Sequence, residues 1–224
     1  MKHDLIQSAW NHYRHEPPAV RLHVIGRVLT CPFAALIRHF PEAGVALDVG
    51  CGRGLLLHFL AQDSAFAGLR LYGIDHDTAK IDSALRAGAG RIDFSTRGLE
   101  SFTDASFDVI SIVDVLYAVK RSEWGAILNH CFRLLRPHGR LLLKEVVDRP
   151  RWKYWAIMAQ ETIAVRLVGF TKGDRPHIES AETYRAAMVD AGFRIAEEAP
   201  LASATWVSHY LFVGEKPLLD SAAK

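Results

Sequence analysis

The clearest chemical signal in the chain is the run Asp48-Val49-Gly50-Cys51-Gly52-Arg53-Gly54. Glycines at this density let a backbone turn tightly and bring its N–H groups against a ligand, most effectively where the turn opens a helix. A second acid, Asp75, stands about 20 residues beyond the last glycine, where a carboxylate can accept hydrogen bonds from both hydroxyls of a ribose. The pair describes a nucleoside site. Its spacing is Gly-x-Gly-x-Gly, with Asp48 just ahead of it, and not the Gly-x-Gly-x-x-Gly of dinucleotide enzymes. Cys51 lies inside the loop with no adjacent base to activate its thiol, so it reads as a small side chain in the loop and not as a nucleophile. Of the eleven histidines only His12 and His15 are close together, and no carboxylate or thiol joins them at a recurring ligand spacing. No metal is expected.

These residues need rigid elements to hold them, and the chain supplies an alternation of short β-branched runs with helical segments, the signature of a parallel α/β sheet. Val45–Val49 reads as the first strand and Leu55–Ala61 as the start of its helix, so the glycine loop sits at a strand-to-helix turn. Leu69–Ile74 is the second strand, with Asp75 at its end. The helix Asp77–Ala87 follows, capped by Asp77 or Thr78 and closed by Gly88. Arg91–Ser95 and Phe107–Val113 are further strands, the second apolar enough to be central. Glu123–Leu135 places Ile127, Cys131, Leu134 and Leu135 on one side at helical spacing, and Pro137 with Gly139 ends it. Arg140–Val147 makes a fifth strand. Ser180–Ala191 reads as a helix, Phe193–Ala199 and Val207–Val213 as a closing strand pair, and residues 216–224 as a frayed tail. Two segments stand outside the alternation. Residues 1–40 are helical pieces broken by Pro17, Pro18 and Pro32, and residues 149–178 combine Trp152, Tyr154 and Trp155 with an apolar helical pattern; both are candidate lids over the ligand edge.

At 224 residues, with 50% apolar and 23% charged side chains, the chain is sized for one domain with a substantial core. A net charge of +2 spread along the sequence does not advertise nucleic-acid binding. Cys31, Cys51 and Cys131 are far apart and imply neither disulfides nor thiolate zinc sites. The first ten residues fit neither a secretory signal nor an anchor, and no apolar run is long enough to span a bilayer. The expectation is a cytoplasmic protein without stable membrane insertion.

With these features in order, the sequence from about Val45 to Val213 resembles the class I S-adenosylmethionine-dependent methyltransferases. The resemblance implies a Rossmann-like, seven-stranded, mostly parallel sheet with helices on both faces, an antiparallel last strand, a helical N-terminal cap and an insertion after strand five. It implies S-adenosyl-L-methionine as cofactor, leaving as S-adenosyl-L-homocysteine. By match, Gly50, Gly52 and Gly54, with Cys51 among them, lie along the methionyl part and ribose. Asp48 holds the loop and, through water, the ammonium group; Asp75 binds the ribose and His76 packs on adenine. Asp114-Val115-Leu116-Tyr117 resembles the segment after the fourth strand that borders the methionyl group and acceptor, and Leu134-Leu135-Arg136-Pro137-His138-Gly139-Arg140-Leu141 resembles the helix-turn-strand that follows. One departure stands out. The family often has an acid after the third strand that contacts the adenine amino group, and Ser95-Thr96-Arg97-Gly98-Leu99 has none, which passes that contact to backbone or to Thr96.

The sulfonium already activates the methyl group, so such an enzyme mainly holds an acceptor in line and excludes water. An acceptor that must lose a proton needs a base, and Tyr117, Glu145 (with Lys144 beside it), His177 and Tyr13 are the candidates. No recognition domain or basic surface marks a protein or nucleic-acid acceptor. The apolar, partly basic segment 149–178 suits a small aromatic or lipid- or polyketide-like molecule, including aryl-polyene types, either free or carrier-bound, with peripheral membrane contact as an added role. Two other classes fit parts of the pattern: a noncatalytic S-adenosylmethionine-binding scaffold, and a nicotinamide-dependent oxidoreductase.

Overall fold

Strand-helix alternation begins at residue 43 and positions everything that follows. The computed structural model describes residues 2–88, 90–148, 178–202 and 208–218. The expected lid at 149–178, His177 within it, and the end of the tail therefore fall largely outside the described residues. Three helices lead the chain: α1 (Lys2–His12), α2 (Pro18–Thr30) and α3 (Phe33–Ile37). Their breaks fall where proline removes a donor and fixes φ: Pro17 precedes α2, Pro18 occupies its first turn, and Cys31 is extended before Pro32. Then follow β1 (Ala43–Val49), α4 (Leu55–Gln62), β2 (Gly68–Ile74), α5 (Thr78–Ala87), β3 (Ile92–Ser95), β4 (Phe107–Val113), α6 (Arg121–Leu134), β5 (Leu135–Val146), α7 (Ala181–Asp190), β6 (Arg194–Leu201) and β7 (His209–Glu215).

The strands form one seven-stranded sheet in the order β3-β2-β1-β4-β5-β7-β6. The pairs from β3 to β5 are parallel, and β7 runs antiparallel to both neighbours. Side chains alternate across the pleat and so divide the core. Ala46, Val109, Leu142 and Leu211 meet α1 to α5 on one face, whereas Leu47, Ile110, Leu143 and Phe212 meet α6 and α7 on the other. On that second face Trp124 and Tyr184 stack with centroids 4.8 Å apart and join the two helices. Asp77 caps α5 as expected, accepting from Ala79 and Lys80 N–H. Gly192 ends α7 at φ +97°, a conformation suited to glycine.

Two expectations need correction. β5 starts at Leu135, not Arg140: Leu135 pairs with Phe107 before the register breaks and resumes at Val109–Arg140, so Pro137 and Gly139 sit inside that break. Lys216 is not part of a frayed end. Its N–H donates to the Gly139 carbonyl and its Nζ to Leu135 O at 2.7 Å, filling the acceptors that the break exposes.

Residues 2–40 cover one face of the sheet and reach its C-terminal edge. Tyr13 donates its hydroxyl to the Arg53 carbonyl in the glycine loop at 2.6 Å, Arg86 of α5 donates to buried Glu16 at 2.9 Å, and Arg27 crosses to the end of β4.

Candidate functional site

At the C-terminal edge, the penultimate residue of β1 is Asp48, which is 3 % exposed and accepts a hydrogen bond from Ser111 Oγ of β4 at 2.6 Å. Burial raises the Asp48 pKa to about 7, against the pull of that hydrogen bond. The loop beyond it holds Gly50, Gly52 and Gly54 at φ +69°, +57° and +80°, the left-handed region where a side chain is strained. Space reinforces the conformational demand. A Cβ on Gly50 would lie 2.5 Å from Val115 Cγ2, and one on Gly54 2.4 Å from Phe94 Cζ. At Gly52 the same Cβ would enter open space, so the loop presents bare backbone outward. Gly54 caps α4 without a side-chain acceptor, leaving the first amides of that helix to a ligand or water.

Asp75 binds the loop to the next unit. Its Oδ2 accepts from Gly52 N–H at 3.0 Å and its Oδ1 from Asp77 N–H at 2.9 Å, while the residue is 7 % exposed. Each carboxylate oxygen has a second lone pair free of these bonds, which is what two ribose hydroxyls require. His76 and Thr96 are exposed beside this acid and at the end of β3. Bare backbone, uncapped helix amides and a fixed acid therefore fit the polar parts of S-adenosylmethionine.

Across the loop from Gly50 lies the segment after β4. Asp114 is itself left-handed at φ +57° and is buried between two cations: Lys144 Nζ donates to its Oδ1 at 2.5 Å and Arg27 Nη1 to its Oδ2 at 2.7 Å. Burial alone would raise its pKa, but Lys144 and Arg27 outweigh burial and hold the carboxyl below the usual carboxylate range. His209 sits under the same cluster, and its pKa is lowered to about 4 by burial and then by Lys144, so it is neutral at pH 7.

Of the residues expected to move protons, the structure places two in other bonds. Glu145 is wholly buried, and its Oε1 accepts from the N–H groups of Val115 and Leu116 at 3.0 and 2.7 Å. Burial and the Asp114 charge push its pKa up to about 8. Tyr13 is 1 % exposed, gives its proton to the Arg53 carbonyl, and is raised above the ordinary phenol range by burial. Tyr117 lies half-buried in the short turn Leu116–Ala118, at the same edge. Cys51 is half-buried in the loop with its pKa pushed up by burial and by Asp48, the opposite of an activated thiol. Arg27 escaped the sequence reading. Its signal was a charge three residues after buried Val24 and four before buried Cys31, the C-cap of α2, so on the covered side of the helix.

Comparison with known proteins agrees with this geometry. Residues 22–198 match the family model described as a methyltransferase domain. The chain is similar to a ubiquinone biosynthesis O-methyltransferase from Psychrobacter arcticus, 28% identical over 226 residues, covering 91% of this chain and 85% of that protein. In fold it is similar to an S-adenosylmethionine-dependent methyltransferase from Methanosarcina mazei, with a TM-score of 0.66 at 20% identity over 82% of this chain and 97% of that one. It is also similar to a geranyl diphosphate C-methyltransferase from Streptomyces coelicolor, with a TM-score of 0.64 at 16% identity over 82% of this chain and 76% of that one.

Proposed function

Because the chain belongs to the methyltransferase-domain family and uses S-adenosylmethionine, we propose that it transfers the methyl group to an oxygen of a small aromatic or lipid-like acceptor. The observation that carries the reading is the junction of Gly52 with Asp75, which fixes a bare loop and a ribose-binding acid in one unit. The choice of oxygen is supported by the similarity to O-methyltransferases of ubiquinone biosynthesis along most of both chains. The aromatic and apolar composition of residues 149–178 supports an acceptor of that character.

When bound, the cofactor supplies a methyl group already activated by its sulfonium. The protein's tasks are to bind, orient and exclude water. The uncapped amides of α4 and the loop backbone would receive the polar methionyl end. Asp48 would hold its ammonium side, Asp75 would accept from the ribose hydroxyls, and His76 with Thr96 would border the adenine. Val115 and Tyr117 lie at the acceptor side of the loop, and Tyr117 and His177, the latter outside the described residues, are the remaining candidates to take a phenolic proton. Glu145 and Tyr13, engaged as described, hold backbone instead.

Incubation with S-adenosylmethionine and phenols, with and without an attached hydrocarbon chain, tests this assignment by mass spectrometry. A phenyl methyl ether is the expected product. Methyl groups found only on carbon or nitrogen acceptors contradict it, and cofactor binding without turnover on any acceptor class favours the scaffold alternative.

The titration of Asp48 gives a further expectation. If its carboxylate faces the ammonium group, affinity for S-adenosylhomocysteine rises with pH through about 7, and Asp48→Asn removes that rise. Folding responds in the opposite sense. A carboxyl whose folded pKa is raised contributes stability at low pH that is lost as pH climbs through about 7. Calorimetry and denaturation across pH 5–9 separate the two; a flat affinity profile in the parent protein contradicts the contact.

A further inference from the structure

The segment after β4 is held by more groups than a connecting turn requires. Asp114 adopts a left-handed backbone, its N–H donates to the Lys144 carbonyl at 2.8 Å, and its carboxylate lies between Lys144 and Arg27. The next two amides, Val115 and Leu116, converge on the single oxygen Glu145 Oε1, and the Leu116 carbonyl accepts from Trp124 Nε1 at 2.9 Å. Helix α2, strand β5 and helix α6 thus meet on three consecutive residues. What they fix in place is the Val115 side chain. It covers Gly50 so closely that a Cβ there would lie 2.5 Å from its Cγ2.

We propose that Glu145 and Asp114 are positioning residues that press Val115 onto Gly50 and so hold the glycine loop in the form that receives S-adenosylmethionine. The proposal rests on the cofactor assignment above. Glu145 acts here through its shape as an acceptor. One oxygen takes two amides, while Oε2 has no hydrogen-bond partner among the described residues. A glutamine carbonyl offers the same two lone pairs in the same place, whereas alanine leaves both amides buried and unpaired. Asp114 sets the turn that aims those amides at Glu145, and Arg27 ties the turn to the N-terminal helices.

The test is calorimetric titration with S-adenosylhomocysteine, together with thermal unfolding, for the parent protein and for Glu145→Gln, Glu145→Ala and Val115→Ala. The expected result is affinity within about 3-fold of the parent for Glu145→Gln and a loss of about 10-fold or more for Glu145→Ala, one to two lost hydrogen bonds' worth of loop order. Val115→Ala is expected to weaken binding by about 3- to 10-fold while unfolding near the parent temperature. That variant also carries the test if Glu145→Ala does not fold. Parent-like affinity in folded Val115→Ala overturns the proposal, as does a Glu145→Gln variant as weak as Glu145→Ala. Failure of the underlying cofactor assignment looks different: the parent protein itself shows no binding.

Discussion

Asp114→Ala is expected to lower the free energy of unfolding by about 3–5 kcal/mol, the cost of leaving a buried charge without its partner. Lys144 is 0 % exposed in its side chain, and its ammonium donates to Asp114 Oδ1. Arg27 would lose the same carboxylate. Urea denaturation measures the loss, and Asp114→Ala combined with Lys144→Met is expected to recover much of it, since removing both members takes away the uncompensated charge. The pH dependence follows from the same pair. A carboxyl held below its unfolded pKa contributes stability that is present above about pH 4 and is lost as pH falls toward its folded value. The parent protein therefore weakens in acid through this group, and Asp114→Ala lacks that component. A single variant as stable as the parent contradicts the network.

The second large effect concerns the cofactor. Asp75→Ala is expected to weaken S-adenosylhomocysteine binding by about 10- to 100-fold, or about 1.4–2.8 kcal/mol. Two contributions act together: the lone pairs proposed to accept the ribose hydroxyls are lost, and Gly52 and Asp77 lose the acceptors that hold the loop to α5. Asp75→Asn keeps one carbonyl acceptor and should fall between the parent and alanine. Calorimetry on folded protein is the measurement, and unchanged affinity in Asp75→Ala contradicts the ribose contact.

Much of this architecture was legible from local signals. The apolar run ending at Val49 and three closely spaced glycines pointed to a strand-to-helix turn because only glycine serves at all three left-handed positions without strain. Pro17, Pro18 and Pro32 divided the N-terminal helices, and Asp77 marked a cap. What escaped were pairings made across the chain. Glu145 sits at a strand end, where a base was expected, but its partners are amides about 30 residues earlier that no local pattern reveals. Arg27 reaches Asp114 only because α2 lies over the sheet edge. Tyr13 looked like a phenol near an edge; its partner is a backbone carbonyl in the glycine loop. Lys216 was assigned to a loose tail because nothing nearby in sequence shows that the break in β5 leaves carbonyls in need of a donor.

The most direct test of the central claim is calorimetric titration of the purified protein with S-adenosylmethionine and S-adenosylhomocysteine, with NADH as control. Saturable binding of both adenosyl ligands at one site per chain, and none of NADH, is the predicted result. A folded protein that binds neither adenosyl ligand, or that binds NADH in their place, contradicts it.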